Sequence, residues 1–391
     1  MKDIPLCVPH LGGNEARYLS ECVATNFVSS VGPFVDRFEA SFVERIGTRF
    51  AVAAVNGTSA LHVALLVAGV ERDDEVLIST LTFIAPVNAV RYAGAWPVFI
   101  DAEPEYWQMD VRRVAEFLER SCERRRGELR NRATGRRVRA LLPVHILGHP
   151  VDIDALLELA KAFGLVVIED ATESLGARYN ERVVGHLGDV ACFSFNGNKL
   201  ITSGGGGMLV TDREDWGSRA RYLTTQAKDD PIEFVHGAVG YNYRLTNLQA
   251  AVGCAQMERL DDHIAAKRRI AERYTAALGD LPGLSPMAEA PWAFSAYWMY
   301  TILVDERRFG MSSRALLRRL EQARIQSRPL WQPAHLSPSQ RDVPRADCPV
   351  AERLNRDALS LPCSVGLTDA DQDRVIATIR AAARAGEKRE A

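Results

Sequence analysis

Three short segments carry side chains whose types and spacing could do chemistry. The first is Val55-Asn56-Gly57-Thr58-Ser59-Ala60-Leu61, where a strand ends, a Gly-Thr-Ser turn comes next and a helix begins. Free N–H groups at a helix N-terminus favour an anion, and the Thr58 and Ser59 hydroxyls would add donors. Capping by Thr58 or Ser59 is an equal alternative. The segment is neither the dinucleotide GxGxxG nor the phosphate-loop GxxxxGK[ST]. The second is Val166-Val167-Ile168-Glu169-Asp170, in which two carboxylates close an apolar strand at the edge where open α/β sheets bind ligands. An acid there could anchor a ribose, a metal or a protonated ring nitrogen, or serve as an N-cap for the next element. The third runs from Cys192 through Ser194 to Lys199 and Thr202, then Ser203 and four glycines, Gly204 to Gly207. Glycines permit close approach of a ligand, and a partly desolvated amine beside them could form a Schiff base.

Composition bears on whether Lys199 is only a surface charge. Of 48 basic residues, 42 are Arg and six are Lys (2, 161, 199, 228, 267 and 388). Where positive charge alone is needed this chain uses Arg, which cannot serve as an amine nucleophile. A phosphate cup, a strand-end acid and a lysine 29 residues later together meet the needs of pyridoxal phosphate (PLP): donors for its phosphate, a carboxylate for its ring nitrogen and an amine for its aldehyde.

Elements able to position such a set are legible. Strands are expected at 51–55, 75–80, 96–100, 138–145, 165–169, 190–195 and 207–211, with helices between several of them, as at 59–69 and 152–163. Such alternation predicts a mainly parallel sheet covered on both faces. A long helix is expected over 246–275. A smaller α+β unit comes after it, with strands at 297–304 and 359–362 and helices at 312–323 and 368–385. We therefore expect a large domain over 1–250, N-terminal segment included, and a second over 251–391.

The rest of the composition narrows function. Net charge is −2 and 47% of residues are hydrophobic, which argues against a nucleic-acid or membrane-surface binder. Residues 119–139 hold nine Arg and three Glu but no aromatics for stacking bases, and read as a solvated loop. Seven cysteines without regular spacing fit a reducing compartment. No metal site is expected; His145 and His149 are four apart, but Gly148 and Pro150 break the helix a metal pair would need. No signal peptide or membrane span is visible, so a cytoplasmic location is expected.

The chain resembles the DegT-type nucleotide-sugar aminotransferases, which are PLP enzymes of fold type I, the aspartate-aminotransferase-like fold. The matching text is NGTSALHVAL, STLTFIAPVNAVRYAGAWPVFID, EDATESLGA, GHLGDVACFSFNGNKLITSGGGGMLVTD and GYNYRLTNLQAAVG, within a match running from 28–39 to 361–372. The phrases at 142–150, 223–236 and 327–336 most resemble the legionaminic-acid-type branch. The resemblance implies that Lys199 holds the cofactor aldehyde and shuttles a proton, and that Asp170 pairs with the ring nitrogen. It implies that Gly57, Thr58 and Ser194 hold the phosphate, with Ser59 beside them, and that Phe83 stacks on the ring. Asn242 would reach the phosphate of the neighbouring subunit in a homodimer with shared sites, and Arg244 and His335 would touch substrate.

One departure stands out. Many members carry His or Gln three residues after the acid, facing the ring hydroxyl, and here it is Glu173. A carboxylate beside a phenolate oxygen is repelled unless protonated, so Glu173 would be neutral or turned to the substrate amine. Dehydratases of the family have His in place of Lys199, so the lysine points to transamination. The activity implied is ping-pong transfer from L-glutamate to a UDP- or GDP-linked 4-keto-6-deoxy sugar, an N-acetylhexosamine by the finer match, for a surface glycan. Dehydration or other PLP chemistry on the same scaffold is the rival within enzymes, and a non-catalytic sugar-nucleotide sensor is the rival outside them.

Overall fold

Side-chain alternation decides how the main sheet is covered. The computed structural model describes residues 2–390 apart from Pro231 and Arg345, and the side chains of 384–390 lie outside the described set. Seven strands form the sheet: β1 (Phe50–Ala54), β2 (Glu75–Ser79), β3 (Trp96–Ile100), β4 (Val138–Leu142), β5 (Val166–Asp170), β6 (Val190–Ser194) and β7 (Gly207–Thr211). Their order is β1-β7-β6-β5-β4-β2-β3. Only β7 runs antiparallel to its neighbours. Each of the seven strands expected between residues 51 and 211 falls on one of these, with ends shifted by no more than three residues.

The helices that cover the sheet are α1 (Glu15–Ala24), α2 (Pro33–Ile46), α3 (Gly57–Val67), α4 (Ile84–Tyr92), α5 (Ile153–Phe163), α6 (Glu214–Thr224), α7 (Asn247–Met257) and α8 (Leu260–Leu278). Ala51 and Ala53 of β1 pack with Phe38 and Phe42 of α2, whereas Val52 and Ala54 pack with Ala60 and Val63 of α3. Toward the other edge, Leu77, Leu141 and Val167 pack with Leu156 of α5, while Ile78, Leu142 and Ile168 join the central core. Burial on both faces explains why these strands read as continuous apolar runs. Phe38, Phe42, Phe193 and Phe195 meet at ring separations of 5.0–5.4 Å, mostly edge to face. They fix α2 against the strand that leads to Lys199.

Beyond α8 the chain builds a four-stranded antiparallel sheet from β8 (Leu284–Pro286), β9 (Tyr300–Val304), β10 (Arg328–Pro329) and β11 (Ala358–Leu361), in the order β8-β9-β11-β10. Helices α9 (Ser313–Gln322), α10 (Pro349–Asp357) and α11 (Asp369–Glu390) complete this part. It is the expected smaller α+β unit.

Four expectations are corrected. The long helix over 246–275 is two helices separated at Glu258 and Arg259, a break that no Gly or Pro announces. Glu258 there accepts from Asn14, Tyr18 and Arg37, which ties the turn to α1 and α2. The division at 250/251 falls inside α7, which packs on both α1 and α2, so the larger unit continues to the α7–α8 turn. The first residues pack with the smaller unit instead: Ile4 bridges Ile325, and Cys363 N donates to Leu6 O at 2.8 Å. The arginine-rich stretch contains a hairpin, Cys122–Arg125 with Glu128–Asn131, closed by Arg126 (φ 54°) and Gly127 (φ 84°) in the left-handed region. Its arginines are largely held within the protein: Arg130 by Glu128, Arg132 by Glu123 and Arg137 by Asp74, each at 2.6 Å, while Arg139 donates to Ala68 O at 2.7 Å.

Candidate active site

The strand order brings the three segments to one edge. Asp170 ends β5, Ser194 ends β6, and Gly207 begins β7 between Ser194 on one side and Ala54 of β1 on the other. Helix α3 starts three residues after β1 at this same edge. Sequence distances of 29 to over 100 residues thus become adjacent strand ends.

At the first segment the cap is Asn56, whose side chain accepts from Ser59 N at 2.8 Å. Neither Thr58 nor Ser59 caps the helix. The hydroxyls of Thr58, Ser59 and Ser194 have no hydrogen-bond partner among the described residues, and Thr58 and Ser194 are partly exposed. Gly57 is needed for close approach: a Cβ there would lie 2.8 Å from Ser194 Cβ. A Cβ on Gly207 would lie 2.6 Å from Asn56 O. Helix N-terminus, hydroxyls and the space kept by glycine form an anion cradle.

Period-two alternation separates the two strand-end carboxylates. Glu169 is fully buried and accepts from His145 Nε2 and the amides of Gly185, Leu187 and Gly188 at 2.6–3.1 Å. Burial alone would raise its pKa, but these donors hold it below the usual range. Glu169 therefore anchors a loop. Asp170, 1% exposed, takes the Thr172 amide at 3.1 Å. Burial pushes its carboxyl up, opposed by Thr172 and by the charge of Lys199. A protonated ring nitrogen beside it would favour the ionised form.

Lys199 leaves a tight turn in which its amide donates to Asn196 O at 2.9 Å. Its Nζ lies 4.2 Å from the Trp298 ring centroid and 3.6 Å from Glu173 Oε1, with the side chain 14% exposed. Trp298 also donates from Nε1 to Asn198 O at 2.7 Å, so it grips the turn and lies against the amine. Sequence reasoning missed Trp298, because the strand expected to begin at 297 begins at Tyr300 and leaves this tryptophan in the preceding turn. Glu173 accepts from Leu147 N at 2.9 Å through Oε2. Leu147 sits at φ 61° and Gly148 at φ 93°, and a Cβ on Gly148 would lie 2.7 Å from Trp298 N. Burial pushes the Glu173 carboxyl up to about 7 even against Lys199.

Of the other expected residues, Phe83 precedes α4 with its ring 55% exposed, free to cover a ligand. Arg244 pairs with Ala54 at the same edge and keeps a buried Nε with no partner among the described residues. Asn242 lies exposed, its backbone paired with Thr225. His335 is not at an open site: its side chain is 1% exposed, Nδ1 meets Thr80 Oγ1 at 2.7 Å and Nε2 meets Glu352 at 3.2 Å. It holds the loop after β2 in place. His149 and His186 are likewise structural, His149 bonding Pro150 O and Ala290 N, and His186 bonding Asp212.

An anion cradle, a buried acid and an amine at one edge of a mixed seven-stranded sheet define a PLP-dependent aminotransferase of fold type I. The residues fit that cofactor: three unpartnered hydroxyls and the α3 terminus suit its phosphate, Asp170 its ring nitrogen and Lys199 its aldehyde. The chain belongs to the DegT/DnrJ/EryC1/StrS aminotransferase family, matching it over residues 9–380. It is 39% identical to GDP-perosamine synthase of Caulobacter vibrioides over 97% of this chain and 99% of that one. It is 37% identical to GDP-perosamine synthase of Escherichia coli O157:H7 over 94% and 95%. Among solved structures, the aminotransferase TlmJ from Streptoalloteichus hindustanus superposes with a TM-score of 0.88 at 29% identity, covering 98% of this chain and 99% of that one. S. venezuelae DesV gives 0.84 at 31% identity, covering 95% and 94%. The chain is a nucleotide-sugar aminotransferase that uses PLP. Its similarity to the legionaminic-acid branch finds no counterpart in these relatives. No helix among the described residues is long and apolar enough to cross a membrane.

Proposed function

We propose that this enzyme moves an amino group from L-glutamate to C4 of a nucleotide-linked 4-keto-6-deoxy sugar, for a surface glycan. The observation that carries the reading is the placement of Lys199 between Glu173 and the Trp298 ring, at the edge that also holds Asp170 and the phosphate cradle. Bound there, PLP supplies an aldehyde to take up the amine and an electron-withdrawing ring that acidifies the neighbouring C–H. The α3 terminus, Thr58, Ser59 and Ser194 bind its phosphate, and Phe83 covers its ring. Asp170 keeps a proton on the ring nitrogen. Lys199 would hold the aldehyde, and its Nζ would be the base that moves the proton when not so engaged. Glu173, with its carboxyl near 7, holds a proton facing that amine. Trp298 and the buried walls exclude water around the amine.

The perosamine synthases, whose named product is GDP-linked, support a GDP sugar. The phrases at 142–150, 223–236 and 327–336 support an N-acetylhexosamine as the sugar and leave the nucleotide open between UDP and GDP. The exposed apolar segment that includes Ile232, Phe234 and Val239, next to Asn242, supports a homodimer in which Asn242 reaches the partner's site. The test is turnover on a panel of GDP-, UDP- and TDP-linked 4-keto sugars with ¹⁵N-glutamate, with product NMR. Label at C4 of one nucleotide sugar supports the proposal, whereas loss of a hydroxyl without nitrogen transfer makes the enzyme a dehydratase and overturns it.

A further inference from the structure

Behind the Lys199 turn lies a group of side chains that the transfer chemistry does not use. Lys267 of α8 is 2% exposed, an uncommon place for an ammonium. Its Nζ donates to Trp298 O at 2.8 Å and lies 3.6 Å from both Cys7 Sγ and Cys363 Sγ. Neither a carboxylate nor water-facing surface is among these contacts, so the negative partner available to Lys267 is sulfur. Cys7 is the one half-buried cysteine of seven; Cys363 and the rest are buried. The backbone already joins the two, through Cys363 N to Leu6 O at 2.8 Å.

We propose that Cys7 is a redox modification site, a thiolate paired with Lys267 that a hydroperoxide oxidises and Cys363 resolves to a disulfide. The roles come from placement. A thiolate is the nucleophilic form, and a neighbouring ammonium stabilises it. The Cys363 thiol donating to it and the Lys267 charge outweigh burial and hold Cys7 at about 6, while the Cys363 thiol is pushed well up and stays protonated. The Cys7 sulfur attacks one peroxide oxygen, the O–O bond breaks, and the departing hydroxide takes a proton from solvent to become water. Cys363 then gives up its proton and attacks the sulfenic sulfur. The S–O bond breaks, and hydroxide leaves as a second water with that proton. Two sulfurs lose two electrons in all and the peroxide gains them.

The site bears on the catalytic turn. Cys7 Sγ lies 3.4 Å from Asn198 O, the carbonyl of the residue before Lys199 that accepts from Trp298 Nε1. A link to Cys363 changes what packs against that carbonyl, and so the surroundings of the turn that carries Lys199.

The test uses the full-length enzyme with PLP bound. Equimolar hydrogen peroxide, an iodoacetamide quench and peptide mapping should give a Cys7–Cys363 linked peptide that dithiothreitol reverses and that is absent in Cys363→Ser and Cys7→Ser. Before oxidation, alkylation of Cys7 should change less than about twofold between pH 7 and pH 9, where an ordinary thiol rises roughly twentyfold. The linked form should show a dithiothreitol-reversible change in the visible band of the lysine-bound cofactor. An ordinary pH profile in both wild type and Cys363→Ser, oxidation of Cys7 without the link, or an oxygen bridge to Lys267 in its place would overturn the site. An unchanged band in the linked protein would overturn its connection to Lys199.

Discussion

Glu173 Oε1 lies 3.6 Å from Lys199 Nζ, both side chains screened from solvent, with the opposite carboxylate oxygen held by the amide of Leu147. Burial brings the acid up to about 7 even with the lysine beside it. Between about pH 4.5 and pH 7 the folded chain keeps a proton there that the unfolded chain has lost. That contribution to stability is full below pH 4.5 and gone as pH rises through 7. Glu173→Gln removes it. The variant should gain stability relative to wild type as pH rises from 5 to 8, by up to about 3 kcal/mol. Denaturant melts of the cofactor-free protein across that range check this, and parallel curves would refute it.

Lys199→Arg keeps a cation over Trp298 but removes the amine. The variant should fold, with unchanged far-UV circular dichroism and a melting temperature within a few degrees. It should lack the visible band of lysine-bound cofactor and lose transamination by at least about a thousandfold. Measurable turnover above one per cent would remove Lys199 from its role.

Gly57→Ala places a methyl 2.8 Å from Ser194 Cβ and should close the phosphate cradle. Cofactor affinity should fall by about tenfold to a hundredfold, read by PLP titration. Adding Ser194→Gly removes the clash and should restore part of that loss. Failure of the rescue would mean that the cradle lies elsewhere.

Asn242 tests the shared site. If it serves the neighbouring subunit, Lys199→Ala and Asn242→Ala chains, each inactive alone, should regain activity when mixed and reassociated. One site in four of a random mixture then holds both native residues. Recovery of nothing, with mixed dimers demonstrated, would place Asn242 in its own subunit's site or in none.

His149 governs an acid limb. Its Nδ1 donates to Pro150 O and its Nε2 accepts from Ala290 N, which requires the neutral ring, and burial lowers its pKa to about 4. The stability it contributes is full above pH 6.5 and lost as pH falls through 4, up to about 3 kcal/mol. Compared with His149→Gln, wild type should lose stability over that window. Equal slopes in urea melts at pH 4.5 and pH 7 would refute it.

The sequence by itself determined the parts that depend on neighbours along the chain. Apolar runs of β-branched residues placed the seven main strands, and scarce lysine among abundant arginine made Lys199 conspicuous. The order of cup, acid and amine specified the cofactor. Residue types could not say that α7 and α8 separate at Glu258, since the break arises from partners on α1 and α2 rather than from Gly or Pro. They could not rank Glu169 against Asp170 either; alternation across a sheet buried on both faces turned one toward loop amides and left the other at the site. His335 looked available and is enclosed by Thr80 and Glu352. Trp298, 99 residues from Lys199, meets the lysine only because the smaller unit folds back on the larger. Contacts of that separation are set by packing of whole layers, which no local pattern encodes, and they decide which of the legible residues meet at the site.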